Sequence, residues 1–227
     1  MWNFRCLLFL VVFIPFQSMG QDSLQVAAED IEEELTMPFL SSIAVSVDYG
    51  KLAAQFLNTE SKFEFGGQVE FKDRFVLIGE YGFSTLTPHG AYQNTDYQSE
   101  GNYFRVGLGY KIDFKAKNNI YFSARYAKSS FKDKGALDIT SASGLYDDLF
   151  EPFVRDNLSA QWFEVVMSSE TKLWKGLYAG FHLRLRIMDK YDEQEPLDVY
   201  TVPGYGRTFD RTIPAVNLYL KYALQRF

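Results

Sequence analysis

After Pro38, apolar and polar residues alternate with a period of two, the pattern of a strand whose faces meet different surroundings. Eight runs carry it. Ile43, Val45, Val47 and Tyr49 alternate with Ser42, Ala44, Ser46 and Asp48; Phe63, Phe65, Val69 and Phe71 with Glu64, Gln68 and Glu70; Leu77, Tyr81 and Phe83 with Glu80, Gly82 and Ser84. The fourth sets Phe104, Val106, Leu108, Tyr110 and Ile112 against Arg105, Gly107, Gly109 and Lys111. The fifth sets Ile120, Phe122, Ala124 and Tyr126 against Ser123 and Arg125, and the sixth Phe163, Val165 and Met167 against Glu164, Ser168 and Glu170. The seventh is the most regular, with Leu177, Ala179, Phe181, Leu183, Leu185 and Ile187 against Tyr178, Gly180, His182, Arg184 and Arg186. Val216, Leu218, Leu220, Tyr222 and Leu224 against Asn217, Tyr219, Lys221 and Ala223 complete the series.

The connections between these runs are roughly 13, 3, 16, 6, 31, 4 and 23 residues, alternately long and short, as in a membrane barrel with loops on one side and tight turns on the other. This rhythm predicts an all-β fold over 39–227: an eight-stranded antiparallel transmembrane β-barrel with long extracellular loops and short periplasmic turns. Both ends of the barrel domain then lie in the periplasm. The loops at about 128–158 and 189–211 exceed what barrel closure needs, so contacts with protein partners are expected there.

Alternation alone fits a soluble barrel, apolar inside, as well as a membrane barrel, apolar outside. The polar face decides the direction. It gathers Glu64, Glu70, Glu80, Glu164 and Glu170 with Arg105, Lys111, Arg125, Arg184, Arg186 and Lys221, and it includes Gly66, Gly82, Gly107, Gly109 and Gly180. A mid-strand glycine weakens a water-facing strand by roughly 0.5–1 kcal/mol, whereas a crowded interior needs room beside long side chains. An eight-stranded interior is filled by side chains. The charges are therefore expected to form an ion-paired network in the lumen, since an isolated buried charge costs several kcal/mol. Tyrosines at strand ends suit the lipid headgroup zones.

Composition adds an address. Residues 1–20 read as a cleaved secretory signal peptide: Arg5, an apolar run from Cys6 to Phe16, then Ser18-Met19-Gly20. That run is about 11 residues, short of the ~20 a spanning helix needs. Cys6 lies inside it, so the mature chain has no disulfide, thiolate nucleophile or cysteine-ligated metal. Residues 21–38, with Asp22, Glu29, Asp30, Glu32, Glu33 and Glu34, form an acidic periplasmic N-terminal extension. A hydrophobic content of 47% excludes disorder, and 17% aromatics favours strands. The net charge of -6 and a pI near 5.0 speak against nucleic-acid binding. The expected location is the outer membrane, with its lipid as the first partner.

Chemistry-bearing groups are few. His182, Ser168 and Glu164 (with Glu170) share the polar face, the basis of an alternative function as a lipid-modifying hydrolase. The plainer expectation is a histidine satisfied within the ion network. His89 falls in a loop without an acid–serine pattern, and Asp147, Asp148 and Glu151 have oxygen ligands but no calcium-loop spacing. Pro203-Gly204-Tyr205-Gly206-Arg207 does not lead from a strand into a helix, so it reads as a turn and not a phosphate cradle. No catalytic set, metal or cofactor is expected. A narrow, porin-like pore is a third reading. Phe227 ends the chain out of phase with the even-numbered apolar face of Leu220, Tyr222 and Leu224, so a bulge or an early strand end is expected there.

Three segments carry a resemblance: Leu158-Ser159-Ala160-Gln161-Trp162-Phe163-Glu164, Gly176-Leu177-Tyr178-Ala179-Gly180-Phe181 with Arg184-Leu185-Arg186, and Val202-Pro203-Gly204-Tyr205-Gly206-Arg207-Thr208-Phe209-Asp210. They resemble an uncharacterised family of small exported proteins of Bacteroidota, a domain of unknown function expected to form outer-membrane barrels. The resemblance covers most of the mature chain in layout and is specific over about 158–227. It implies no catalytic residues. It implies a non-enzymatic accessory subunit of an outer-membrane assembly that inserts or exports envelope proteins, with partners met through the long loops or the acidic tail.

Overall fold

The computed structural model describes residues 38–50, 60–88, 95–115, 117–139, 147, 149–195 and 197–226. The segment expected to be a signal and the acidic extension up to Met37 lie outside them, as do His89, Asp148 and Phe227. The strands among the described residues are β1 (Leu40–Asp48), β2 (Glu60–Phe71), β3 (Phe75–Leu86), β4 (Thr95–Lys115) and β5 (Asn118–Ile139). They continue as β6 (Leu149–Trp174), β7 (Leu177–Tyr191), β8 (Thr201–Val202), β9 (Gly206–Arg207) and β10 (Thr212–Arg226). Eight of these pair in an antiparallel ring, β1-β10-β7-β6-β5-β4-β3-β2 and back to β1, which makes a closed barrel. β8 and β9 pair only with each other.

β3 displays the two-faced ladder plainly: its even residues from Val76 to Leu86 are buried, and its odd ones face out. The outer face is a belt of exposed aliphatic side chains, among them Val45, Leu77, Val106, Leu108, Val165, Leu185 and Leu218. Aromatic rings line its margins. Phe63, Phe65, Tyr81 and Phe83 contact one another in series at 4.9–6.1 Å, and Phe104, Tyr126 and Phe163 continue the upper margin at 6.4 and 5.7 Å. Phe39 with Phe71 and Phe75 with Tyr110 mark the lower margin.

The lower end carries the short connections. At 72–74, Lys72 and Asp73 both adopt left-handed backbone (φ 47 and 53), and the Arg74 N–H donates to the Phe71 carbonyl at 3.1 Å. That handedness matches the twist of a hairpin. β4 passes to β5 and β6 to β7 at the same end. Near the C-terminus the β1–β10 register slips between Ile43 and Ala44: Ala44 pairs with Ala223, but Ile43 pairs with Gln225. A bulge thus lies in β10 before its end, while Phe227 itself is outside the described residues.

Two expectations about the upper end are corrected. The region 128–158 is mostly strand, since β5 runs to Ile139 and β6 begins at Leu149. Its rhythm is disguised because the faces exchange character. Outward positions become Asn102, Ser130, Lys132 and Lys134, while Tyr97, Tyr103, Ala127, Phe131, Leu158, Ala160 and Trp162 are buried. The region 189–211 is not a displayed loop either. Its β8–β9 hairpin is folded against the inner wall, with Val199, Val202, Pro203 and Tyr205 fully buried, because these apolar side chains need cover.

Candidate functional site

The charged side chains of the polar face lie inside the barrel, in two clusters. In the upper one Arg105 reaches three carboxylates: Nη1 donates to Glu64 at 2.5 Å and to Glu80 at 3.2 Å, and Nε donates to Glu164 at 2.8 Å. Arg184 donates to the same three, at 2.7 Å to Glu80, 3.1 Å to Glu164 and 3.3 Å to Glu64. Arg125 is paired with Glu80, and Arg186 lies 3.8 Å from Glu164. Six strands contribute (β2 to β7), so the cluster ties together the wall that the backbone ladder joins only neighbour to neighbour.

The lower cluster pairs two lysines with two glutamates. Lys221 lies 2.6 Å from Glu170 and 3.7 Å from Glu70, and Lys111 lies 3.4 Å from Glu70. Tyr121 donates to Glu170 at 2.8 Å and to Glu70 at 3.2 Å, and Tyr219 donates to Glu170 at 3.0 Å. Removing one partner from such a pair leaves an uncompensated charge, which costs about 3–5 kcal/mol.

Between the clusters stand Ser168 and His182, with Ser168 Oγ 2.6 Å from His182 Nδ1. The imidazole stacks on the Tyr219 ring at 4.1 Å. Glu164 does not join them: its oxygens receive Arg105, Arg184 and the Trp162 indole N–H, the last at 2.8 Å. Glu170 is held by Tyr121, Tyr219, Lys221 and Asn119. The cavity beside the serine and histidine measures about 20 Å³, lined by Gln68, Tyr121 and Arg125 among others. That is room for about one water.

Several lumen residues escaped the alternation argument: Tyr103, Tyr121, Trp162 and the hairpin itself. Tyr103 donates to Glu64 at 2.7 Å, and its ring lies under the Arg105 guanidinium at 4.6 Å. A Cβ added to Gly82 of the wall or Gly204 of the hairpin would collide with that ring, and Gly204 also needs its φ of +84. A usable signal did exist. Tyr103-Phe104, Tyr121-Phe122 and Trp162-Phe163 are adjacent aromatics, so one of each pair must face inward, and the member with a hydrogen-bond donor does.

The hairpin caps the upper cluster through its backbone. Arg105 Nη2 donates to the Gly204 carbonyl at 2.9 Å, and Arg186 Nη1 donates to the Tyr205 carbonyl at 2.5 Å. This gives the fourth arginine a partner where four cations meet three carboxylates. Tyr205 also packs on Trp162 at 5.7 Å and donates to the Asp210 carbonyl at 2.8 Å. Burial pushes its phenol above the usual range. Higher still, Arg155 joins Asp133 at 2.5 Å and the Leu197 carbonyl at 2.6 Å, anchoring the hairpin to β5 and β6.

Among the described residues, no group of three or more His, Cys, Asp or Glu side chains is placed to hold a metal ion. Asp147 and Glu151 are exposed near the tip of the β5–β6 hairpin. No described helix is long and apolar enough to cross a membrane, which says nothing of strands. No curated protein matches the chain. A family model matches residues 1–224, and the chain thus belongs to the family described as Domain of unknown function (DUF6048).

Proposed function

We propose that this protein is a non-enzymatic outer-membrane barrel with a filled, ion-paired lumen, serving as an accessory subunit of an assembly that inserts or exports envelope proteins. The outer belt carries this reading. A band of exposed Val and Leu bordered by aromatic rings would drive aggregation in water, whereas against acyl chains it is the required surface. β4 from Phe104 to Ile112 has the length of about 9–11 residues that a tilted strand needs to cross the hydrocarbon. The long connections are then extracellular, and the tight turns and both ends of the barrel domain periplasmic. Two ionic clusters and the inserted hairpin support a lumen closed to flow, and a cavity sized for one water supports no turnover at Ser168 and His182.

The β4–β6 projection is the surface offered to a protein partner. Phe150 and Val154 are 67% and 69% exposed there, far above the belt. Asp133 and Arg155 are cross-strand partners, so Lys134–Val154 can be replaced by Asn-Gly without touching the belt. That variant is expected to keep heat-modifiable mobility in gels while losing the proteins that wild type brings down from its membrane. Undiminished partners would remove the projection as the contact. A mature chain that stays monodisperse in plain buffer without detergent would end the membrane reading itself.

A further inference from the structure

A groove of about 560 Å³ crosses the outer face just where the aromatic margin ends. Its lower side is Phe63 and Phe83, 40% and 49% exposed. Its upper side is Asn102 and Ser130, together with Lys132 and Glu100, which form an ion pair at 2.7 Å. At its far end β6 skips register between the partners of Phe131 and Asp133, and Asn157 turns left-handed (φ 60). The bulge puts Asp156 and Asn157 on the groove instead of in the ladder. Both sides are therefore built by strand positions whose alternation is fixed, with one bulge to close the end.

The volume is that of a site for a small molecule or a lipid head. Its two sides ask for an amphiphile, since the Phe63 and Phe83 rings continue the belt and the opposite side is polar throughout. Charge then selects the head. Among the lining residues Lys132 is already paired with Glu100, and Asp156 adds a second carboxylate, so a phosphate would meet repulsion from Asp156. Carboxylates accept from neighbouring hydroxyls in pairs, carboxamides both accept and donate, and the hydrogen-bonding inventory here suits vicinal diols. We infer that this groove seats the saccharide head of a glycolipid, its acyl chains descending over Phe63 and Phe83. The inference rests on the belt facing lipid.

The test reconstitutes the purified chain in phosphatidylcholine nanodiscs carrying a minority of either glucosyl-diacylglycerol or phosphatidylglycerol. The barrel is then released and weighed by native mass spectrometry. Wild type is expected to retain glucosyl-diacylglycerol roughly tenfold over phosphatidylglycerol, about 1.4 kcal/mol. Asn102→Ala with Asp156→Ala, both at exposed positions, is expected to abolish that preference while keeping heat-modifiable mobility. Equal retention of the two lipids, or a preference for phosphatidylglycerol, overturns the saccharide site and leaves the barrel reading standing. A preference that survives the double substitution also overturns it. A chain that enters no disc overturns both.

Discussion

Below Phe104 and Tyr126 the wall is apolar outside and ionic inside; above them β4 and β5 are polar outside, and the aromatic and aliphatic side chains Tyr97, Tyr103, Ala127 and Phe131 turn inward. No register slip separates the halves on β4 and β5, where pairing runs unbroken from Gly101 with Phe131 to Asp113 with Asn119. The backbone is therefore indifferent to the change. Side-chain identity alone records it, because a strand's period of two serves either arrangement. The lower half depends on pairing of opposite charges; the upper half depends on packing of Trp162, Tyr103, Val202 and Tyr205 around an inserted hairpin.

The largest expected effect breaks the ionic half. Arg105→Ala removes the side chain that joins Glu64, Glu80 and Glu164, leaving Arg184 alone to reach all three, and should cost about 3–5 kcal/mol, read from urea titration of heat-modifiable mobility. A loss under about 1 kcal/mol would mean that water or Arg184 replaces it fully. The next separates the halves from outside. Leu108→Arg, in the middle of the belt, should destabilise the bilayer-inserted form by about 2–4 kcal/mol. Ser130→Arg, above the belt, should change it by no more than about 0.5 kcal/mol. Equal costs would erase the boundary between the halves.

The smallest effect concerns the hairpin. The Tyr205 phenol is raised by burial in the folded state, so its share of stability is complete below about pH 10 and declines as pH climbs through the raised value. Between pH 9 and pH 11, wild type should therefore lose stability relative to Tyr205→Phe. Parallel declines would show that the phenol does not sense the fold.

The lower half was legible because one face is apolar without interruption; Leu177 to Ile187 on β7 could hardly be read otherwise. Its ion network was legible for a related reason, since the same parity put Glu64, Glu80, Arg105 and Arg184 on a common interior. The upper half was not. From Lys128 to Lys134 the outward residues are Lys and Ser and the inward ones small or mixed, Ser129, Phe131 and Asp133, so contrast between the faces is lost. The hairpin was missed because two-residue strands carry no period. Its apolar content, Val199, Tyr200, Val202 and Tyr205, was the available hint.

Ring closure joins Ser42–Asp48 to β10, so the first and last strands of the barrel are immediate neighbours. Until β10 is in place, β1 lacks its neighbour on one side. Two raw edges therefore persist until β10 docks, each able to recruit a stray strand. Such long-range pairing is intrinsically slow. An escort that shields those edges would thus be needed before the cylinder seals, and loss of the last dozen residues should be as damaging as loss of any residue of the interior.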